Sequence, residues 1–184
     1  MSKRMDQVIV IDLEASCWQG PPPPGEENEI IEIGICPLVV ATGERLPKES
    51  LIVRPEKSKI SPFCTQLTTI TQEMVDGGMP LRDAITRLRE VYDTETRTVA
   101  SWGDYDREQI RRECQSKGLK NPLGKTHLNV KNLHSLVYGL PKEVGMDEAL
   151  KMMGLPLEGT HHRGSDDAAN IALILSRLIT RSVA

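Results

Sequence analysis

Short apolar runs alternate along this chain with segments whose apolar residues recur every three or four positions. The runs are rich in β-branched residues and predict strands at residues 8–14, 29–40, 49–53 and 98–102. Residues 41–44 suit a hairpin turn between the second and third of these strands. The pattern therefore predicts a sheet that opens with a hairpin meander.

The other segments have helical spacing. They predict an amphipathic helix over residues 81–92 and three further helices over residues 104–117, 146–153 and 165–178. Residues 127–133 are typical of a weak strand or a loop, with room for a short helix after it. The proline-rich residues 21–25 predict a stiff, exposed loop. Strands interleaved with helices indicate an α/β domain with a mixed sheet.

Length and composition limit the class of protein. A chain of 184 residues fits one domain, taken here as residues 1–184, and 39% hydrophobic with 27% charged residues is typical of a globular protein. No apolar run reaches the roughly 20 residues that span a bilayer, and the N-terminus is a poor secretory signal. We therefore expect a cytosolic protein without a membrane partner. The net charge of −3 does not indicate nucleic-acid binding by itself, but bound divalent cations would reverse the sign of an acidic pocket.

Asp12 and Glu14 lie two residues apart at the end of the first predicted strand. Because side chains alternate along a strand, both carboxylates project from one face. A solvated strand end would explain them equally well. A strand as apolar as residues 8–11 should be central, however, and α/β sheets place their sites at the carboxyl ends of such strands. Two like charges held together there require a compensating cation.

The last predicted helix carries another acidic residue in an unusual position. Asp167 begins an apolar stripe, so its side chain should point inward; the stripe continues through Ile171, Ile174, Leu175 and Leu178. An inward aspartate is costly unless it is paired or binds a metal. The adjacent Asp166 faces another way and suits the positive end of the helix dipole.

Two histidines precede this helix. His162 lies five residues before Asp167, in a loop that Ser165 could end as a helix N-cap. A histidine in that place could act as a base near neutral pH. A surface histidine without a chemical role is the simpler interpretation, and spacing alone does not eliminate His161 as the base.

A further acidic residue lies where the fourth predicted strand passes into a helix. Asp106 shares a helical face with Ile110 and Cys114, so it too is expected to point inward. Asp104 is better suited to capping that helix. Tyr105, between the two acids, is the best candidate for stacking on a nucleic-acid base.

Together these motifs resemble the DEDDh superfamily of 3′-to-5′ exonucleases. The chain reads Ile11-Asp-Leu-Glu14 in the first strand, Trp102-Gly-Asp-Tyr-Asp106 at the turn and His162-Arg-Gly-Ser-Asp-Asp167 before the last helix. The resemblance implies a ribonuclease H-like fold, in which helices flank a five-stranded mixed sheet. It also implies that His162 is the general base and that two Mg²⁺ or Mn²⁺ ions are ligated by Asp12, Glu14, Asp106 and Asp167. Carboxylate oxygens are the ligands that these hard cations prefer.

Residues 61–72 narrow the resemblance to exoribonucleases that trim histone mRNA, small interfering RNA and ribosomal RNA, and to their bacterial relatives. The substrate implied is a single-stranded RNA 3′ end, hydrolysed to nucleoside 5′-monophosphates. The residues implied to hold the terminal nucleotide are Leu13, Phe63, Leu67, Thr68 and Tyr105. The proline run at residues 21–24 departs from the pattern of this branch.

Two alternatives are left by the sequence. No motif in the sequence indicates contact with a ribose 2′-hydroxyl, so the first alternative is a DNA-directed exonuclease. The other is a regulatory binding protein that retains the fold, although binding alone gives no reason to bury like charges. A basic stretch at residues 107–131, with seven Lys or Arg and two Glu for a local balance of +5, could guide the incoming strand or could simply be solvated.

Overall fold

The computed structural model describes residues 3–181 of the chain. Five strands form one sheet in the order β3-β2-β1-β4-β5. Their bounds are β1 Arg4–Ala15, β2 Ile30–Val39, β3 Glu49–Ile52, β4 Arg97–Ser101 and β5 His127–Asn129. The first three strands pair antiparallel, whereas β4 runs parallel to β1 and β5 runs parallel to β4. The sheet is therefore mixed, as the sequence predicts, and β1 is its central strand.

Helices cover both faces of this sheet. Their bounds are α1 Pro62–Thr68, α2 Gln72–Asp76, α3 Leu81–Glu90, α4 Tyr105–Ser116, α5 Val130–Val137, α6 Met146–Met152 and α7 Gly164–Arg181. Among the described residues, no helix has both the length and the apolar character that crossing a membrane requires.

The alternation of β1 decides which helices its side chains meet. Val10 packs with buried residues of α5, α6 and α7, whereas Ile9 and Ile11 pack with buried residues of α3 and α4. Asp12 and Glu14 have the parity of Val10, so they lie on the face of the sheet that α7 covers. The carboxyl end of the central strand thus presents both acids toward the start of that helix.

Several details differ from the sequence-based expectations. α7 begins at Gly164, so Ser165 lies within its first turn and the prediction that it caps the helix was wrong. Asp104 is at the N-cap of α4 as predicted, but its side chain makes no capping hydrogen bond and instead accepts one from Asn129 Nδ2 at 3.0 Å. The predicted weak strand at residues 127–133 divides into the short β5 and the first turn of α5. Residues 21–25 are exposed, which confirms the predicted loop.

Gly34 allows α7 to rest directly on the sheet beside the acidic residues. Gly34 pairs with Asp12 across the β1–β2 ladder. A Cβ atom built on Gly34 would lie 1.8 Å from the carbonyl carbon of Gly164 and 2.0 Å from its carbonyl oxygen. No side chain larger than hydrogen fits in that space, so this glycine sets how closely the first turn of α7 approaches β1.

We expect Gly34→Ala to lower the free energy of unfolding by about 3 kcal/mol or more, the upper range for overpacking, because the backbone of α7 has to move away from β2. Urea titration measures the change. The matched control is Gly20→Ala, since a Cβ atom built at Gly20 meets no heavy atom within 4 Å. The control should stay within about 0.5 kcal/mol of the unmodified protein. Equal stabilities of the two variants would contradict the close packing of α7 on β2.

Candidate active site

Three carboxylates converge where α7 begins above the end of β1. Asp12 is partly buried, Glu14 is 8% exposed and Asp167 is 4% exposed. Each offers a carboxylate oxygen, and these oxygens all lie within 4.8 Å of one another. The inward orientation predicted for Asp167 is therefore correct. Two elements far apart in sequence supply one compact set of oxygen ligands.

Asp106 reaches the same place from the first turn of α4. It is 4% exposed and lies on the buried face of the helix with Ile110 and Cys114, as its spacing predicts. Its Oδ1 accepts a hydrogen bond from the Leu13 backbone N–H at 2.9 Å, which ties α4 to β1 between the other two acids. Asp106 lines the same cavity as the three converging carboxylates but is not within the 4.8 Å group.

These groups surround an open cavity of about 240 Å³. Its lining is Asp12, Leu13, Glu14, Trp102, Tyr105, Asp106, Met146, His161, His162 and Asp167. Met146, the first residue of α6, is a lining residue that the sequence analysis did not identify as part of the site. Nothing in its local sequence signals this position, because it depends on how α6 packs against the sheet.

The two histidines before α7 are placed differently. His161 directs Nδ1 at the Asp167 carboxylate, with distances of 3.1 and 3.2 Å to its two oxygens. His162 contributes its backbone N–H to Asp167 Oδ2 at 2.9 Å and has a left-handed backbone with φ of 64°. The two rings stack with centroids 4.0 Å apart. Both rings line the cavity, so the structure keeps both near the acids.

Burial gives the carboxyl groups unusual proton affinities. It raises the pKa of Glu14 to about 9, with Asp167 and Glu32 adding to the shift by repulsion. It also raises the pKa of Asp106 to about 6, although the hydrogen bond from the Leu13 N–H lowers that pKa. The pKa of Asp12 is raised well above its ordinary value by burial and then by Asp106. Burial also raises the pKa of Asp167, although the adjacent histidines oppose that shift.

This donor set fits a divalent cation. Without one, Glu14 keeps its proton near neutral pH, because ionising all of these carboxyl groups would place like charges together in a poorly solvated place. Cation binding would replace that proton. An all-carboxylate set matches the oxygen preference of Mg²⁺ and Mn²⁺.

The same reasoning predicts how stability depends on pH in the absence of metal. A folded-state pKa of about 9 for Glu14 means that its contribution to stability is complete below its ordinary pKa of 4.5 and is lost as the pH rises toward 9. We expect Glu14→Gln to abolish that loss. Each pKa unit corresponds to about 1.4 kcal/mol, so in EDTA the variant should be more stable than the unmodified protein by at least about 1.4 kcal/mol at pH 8.

Thermal melts at pH 5 and pH 8 measure this difference. For a domain of this size about 1 kcal/mol corresponds to 2–4 °C, and the advantage of the variant should be much smaller at pH 5. Asp6→Asn is the control, since hydrogen bonds from Arg97 and Arg4 hold the pKa of Asp6 below its ordinary value at the exposed end of β1. If Glu14→Gln gave the same advantage at both pH values, the raised pKa would be refuted.

Of the five residues implied to hold a nucleotide, two line the cavity and three do not. Leu13 and Tyr105 line the cavity. Phe63 and Leu67 lie on α1 with 37% and 38% exposure and are not among the lining residues of this cavity. Thr68 is fully buried and donates its hydroxyl to the Cys64 carbonyl at 2.8 Å. The structure thus brings together the residues of β1 and α4, while the α1 residues lie outside the cavity lining.

The basic stretch at residues 107–131 is largely neutralised by neighbouring acids. Five of its cations lie within 4.0 Å of a carboxylate oxygen: Arg107, Arg111, Lys117, Lys120 and Lys131. Lys117 pairs with both Glu29 and Glu56. A net local charge of +5 is therefore not presented as a continuous positive surface, which favours the interpretation of a solvated helix and loop.

Comparisons with known proteins agree with this arrangement of acidic residues. The model of the exonuclease family (RNase_T) matches residues 9–175. The 3′-5′ exonuclease Snipper of Drosophila melanogaster is 30% identical over 194 residues, covering 94% of this chain and 69% of Snipper. Human 3′-5′ exoribonuclease 1 is also 30% identical, over 184 residues, covering 95% of this chain and 52% of the human protein.

A solved structure confirms the predicted ribonuclease H-like fold. The nuclease domain of 3′hExo, described as a DEDDh family member bound to rAMP, superimposes with a TM-score of 0.87 at 28% identity. The match covers 98% of this chain and 95% of that domain. The chain spans about half the length of the human exoribonuclease and a smaller share of several other curated relatives.

Proposed function

This chain belongs to the exonuclease family, in its DEDDh group of 3′-to-5′ exonucleases, and from that premise we propose that it removes nucleotides from the 3′ end of single-stranded RNA. The products are nucleoside 5′-monophosphates. The observation that carries the proposal is the convergence of Asp12, Glu14 and Asp167 within 4.8 Å, with Asp106 on the same cavity. Burying several carboxylates this close together is costly unless a bound cation compensates for their charge.

The four carboxylates are the ligands of two Mg²⁺ or Mn²⁺ ions in this proposal. When bound, such ions lower the pKa of the attacking water and stabilise the departing 3′ oxygen. The chain itself fixes where the ligands stand. β1 holds Asp12 and Glu14, the Leu13 N–H holds Asp106, and the His162 N–H holds one oxygen of Asp167.

His162 is the base that takes the proton of the attacking water. Burial and the neighbouring His161 lower the pKa of His162, so its ring is neutral and able to accept a proton at pH 7. The Nδ1 of His161 is already directed at Asp167. Within residues 3–181 the His162 ring makes no hydrogen bond to another side chain, which supports its assignment as the group that faces the water.

Leu13 and Tyr105 are proposed to contact the terminal nucleotide, with Phe63 and Leu67 supporting it from α1. Thr68 is fully buried and bonded to the Cys64 carbonyl, so the nucleotide contact expected of it is not proposed. Tyr105 is half exposed, and its hydroxyl donates to Asn28 Oδ1 at 3.0 Å, which orients the ring at the cavity mouth. A ring held in that way offers an aromatic face to a base, and such stacking is tolerant of base identity. Phe63 and Leu67 have exposed apolar surface that an ordered nucleotide could cover.

We expect RNA to be preferred over DNA of the same sequence by about tenfold in kcat/KM. One hydrogen bond to a 2′-hydroxyl contributes about 0.5–1.5 kcal/mol, and 1.4 kcal/mol is a factor of ten. Matched 5′-labelled RNA and DNA oligonucleotides, and an RNA with a single 3′-terminal deoxynucleotide, measure this preference. Loss of the preference with one terminal deoxynucleotide would place the discrimination at the terminal sugar. Equal or faster cleavage of DNA would contradict the RNA assignment and favour a DNA-directed enzyme.

A further inference from the structure

Glu32 is a fully buried glutamate that the four-carboxylate motif does not include. It lies directly opposite Glu14 in the β1–β2 ladder and is 0% exposed. A buried carboxylate beside a cluster of like charges is costly unless hydrogen bonds and a counter-charge compensate for the lost solvation. Its partners therefore indicate what it does.

Those partners are donors that together satisfy both carboxylate oxygens. Arg163 Nε lies 3.2 Å from Glu32 Oε2, and the Gly164 backbone N–H donates to the same oxygen at 3.0 Å. Ser50 Oγ donates to Glu32 Oε1 at 2.5 Å. Glu32 thus holds the first residue of α7 to β2 by accepting from its backbone N–H, which has no partner within the helix. The helix dipole also favours a negative charge at this end of α7.

Arg163 links this Glu32 contact to His162 and Asp167. It follows His162 directly in sequence, and its backbone carbonyl accepts the N–H groups of Asp166 and Asp167 at 2.9 Å each. Its guanidinium also lies near the α1 C-cap, with Nη1 3.5 Å from Thr69 Oγ1. The left-handed backbone of His162 is therefore held between Asp167 on one side and the Arg163–Glu32 contact on the other.

We propose that Glu32 and Arg163 form a positioning pair, which fixes His162 and Asp167 relative to the carboxylates of β1. The inference rests on the proposed function, because it assigns the pair to the geometry of that same site. Neither residue touches the reacting atoms. A displacement of about 1 Å in a catalytic group can cost about a hundredfold in rate, so removing the pair should affect turnover more than substrate binding.

The chain supplies a matched control for a role in stability alone. Arg45 also ties the α7 region to the sheet, since it pairs with Glu158 and donates to the Ala169 carbonyl within α7 at 3.1 Å. The side chains of Arg45 and Arg163 are 26% and 24% exposed. Arg45 lies away from the four-carboxylate cavity, however, so its loss removes a comparable contact without disturbing His162.

The test compares Arg163→Met, Arg163→Lys and Arg45→Met in the full chain with Mg²⁺. Steady-state kinetics on single-stranded RNA separate kcat from KM, and imidazole NMR reports on the four histidines. We expect Arg163→Met to lower kcat by about 10- to 100-fold with KM within about threefold. The resonances of His161 and His162 should move while those of His127 and His134 stay in place. Arg163→Lys should recover part of kcat, because it keeps the charge near Glu32 but lacks the guanidinium fork.

Arg45→Met is expected to retain kcat within about twofold and to leave all four histidine resonances unchanged. The proposal is overturned if Arg163→Met keeps the kcat of Arg45→Met, or if its only effect is a lower melting temperature. Should Arg163→Met fail to fold, Arg163→Lys decides the question: unchanged kcat and unchanged His162 resonances overturn the proposal. An unmodified protein that does not cleave RNA or DNA would instead refute the proposed function, while the NMR comparison would still report on the positioning of His162.

Discussion

Replacing Asp12 with alanine is expected to reduce the rate of nucleotide release by about a thousandfold. Metal ions contribute several kcal/mol to stabilising the charge that develops in such reactions, and about 1.36 kcal/mol corresponds to a factor of ten. Asp12 lies on the central strand within the 4.8 Å group of carboxylate oxygens, so its loss would remove one of the proposed metal ligands. Single-turnover kinetics at saturating Mg²⁺ measure the loss.

Asp6→Ala is the matched control for Asp12→Ala. Asp6 lies on the same strand with the same parity, but at the other end, where it pairs with Arg4 and Arg97. It should retain activity within about threefold, which is the scatter expected of a surface change of about 0.5 kcal/mol. If both variants lost activity equally, the loss would reflect the fold rather than the site. If Asp12→Ala kept full activity, Asp12 would not be a ligand.

Replacing His162 with alanine is expected to lower kcat by about 10²- to 10⁴-fold, the range for loss of a general base. His161→Ala should cost about tenfold, the lower range for a group that orients a metal ligand, because its Nδ1 contacts Asp167. The comparison is informative because the two rings stack on each other and both residues line the cavity. Single-turnover rates at pH 7 for the two variants, measured side by side, give the ratio.

The opposite order of effects would assign the base to His161. Equal and small effects of both substitutions would show that neither imidazole accepts the proton. Circular dichroism of each variant establishes that the chain is folded, and rescue of His162→Ala by added imidazole would support the loss of a base rather than of a packing contact.

Strand periodicity was sufficient to predict the two acids of β1. Asp12 and Glu14 share a face because the side-chain period is two, and the apolar residues before them indicated a central strand. Asp167 and Asp106 were placed inward for the same kind of reason, through the apolar residues that share their helical faces. These are local patterns, and the structure agrees with them because a buried face leaves little freedom in register.

Features that depend on contacts between distant segments were not predictable in this way. The helices α1 and α2 have seven and five residues, which is too short for periodicity to reveal them. The role of Glu32 follows from pairing with Glu14 and from contact with Arg163, which lies 131 residues away in sequence. The distinct positions of His161 and His162 depend on one left-handed backbone conformation, which spacing cannot indicate.

The regulatory alternative is weakened by the same geometry. A protein that acts only by binding a partner has no physical reason to hold Asp12, Glu14, Asp106 and Asp167 around one cavity with raised pKa values. The regulatory alternative predicts a different result from the exonuclease, since the cellular effect of a pure binding protein would survive Asp12→Ala.

Metal-dependent 3′-to-5′ exonuclease activity is tested most directly by a time course on a 5′-labelled single-stranded RNA with Mg²⁺ or Mn²⁺, run beside EDTA and an Asp167→Ala protein. We expect a ladder of products that shortens from the 3′ end with the metal and is lost in both controls. Folded protein that gives no cleavage with either metal, or that cleaves equally well in EDTA, would contradict a metal-dependent exonuclease built on these four carboxylates.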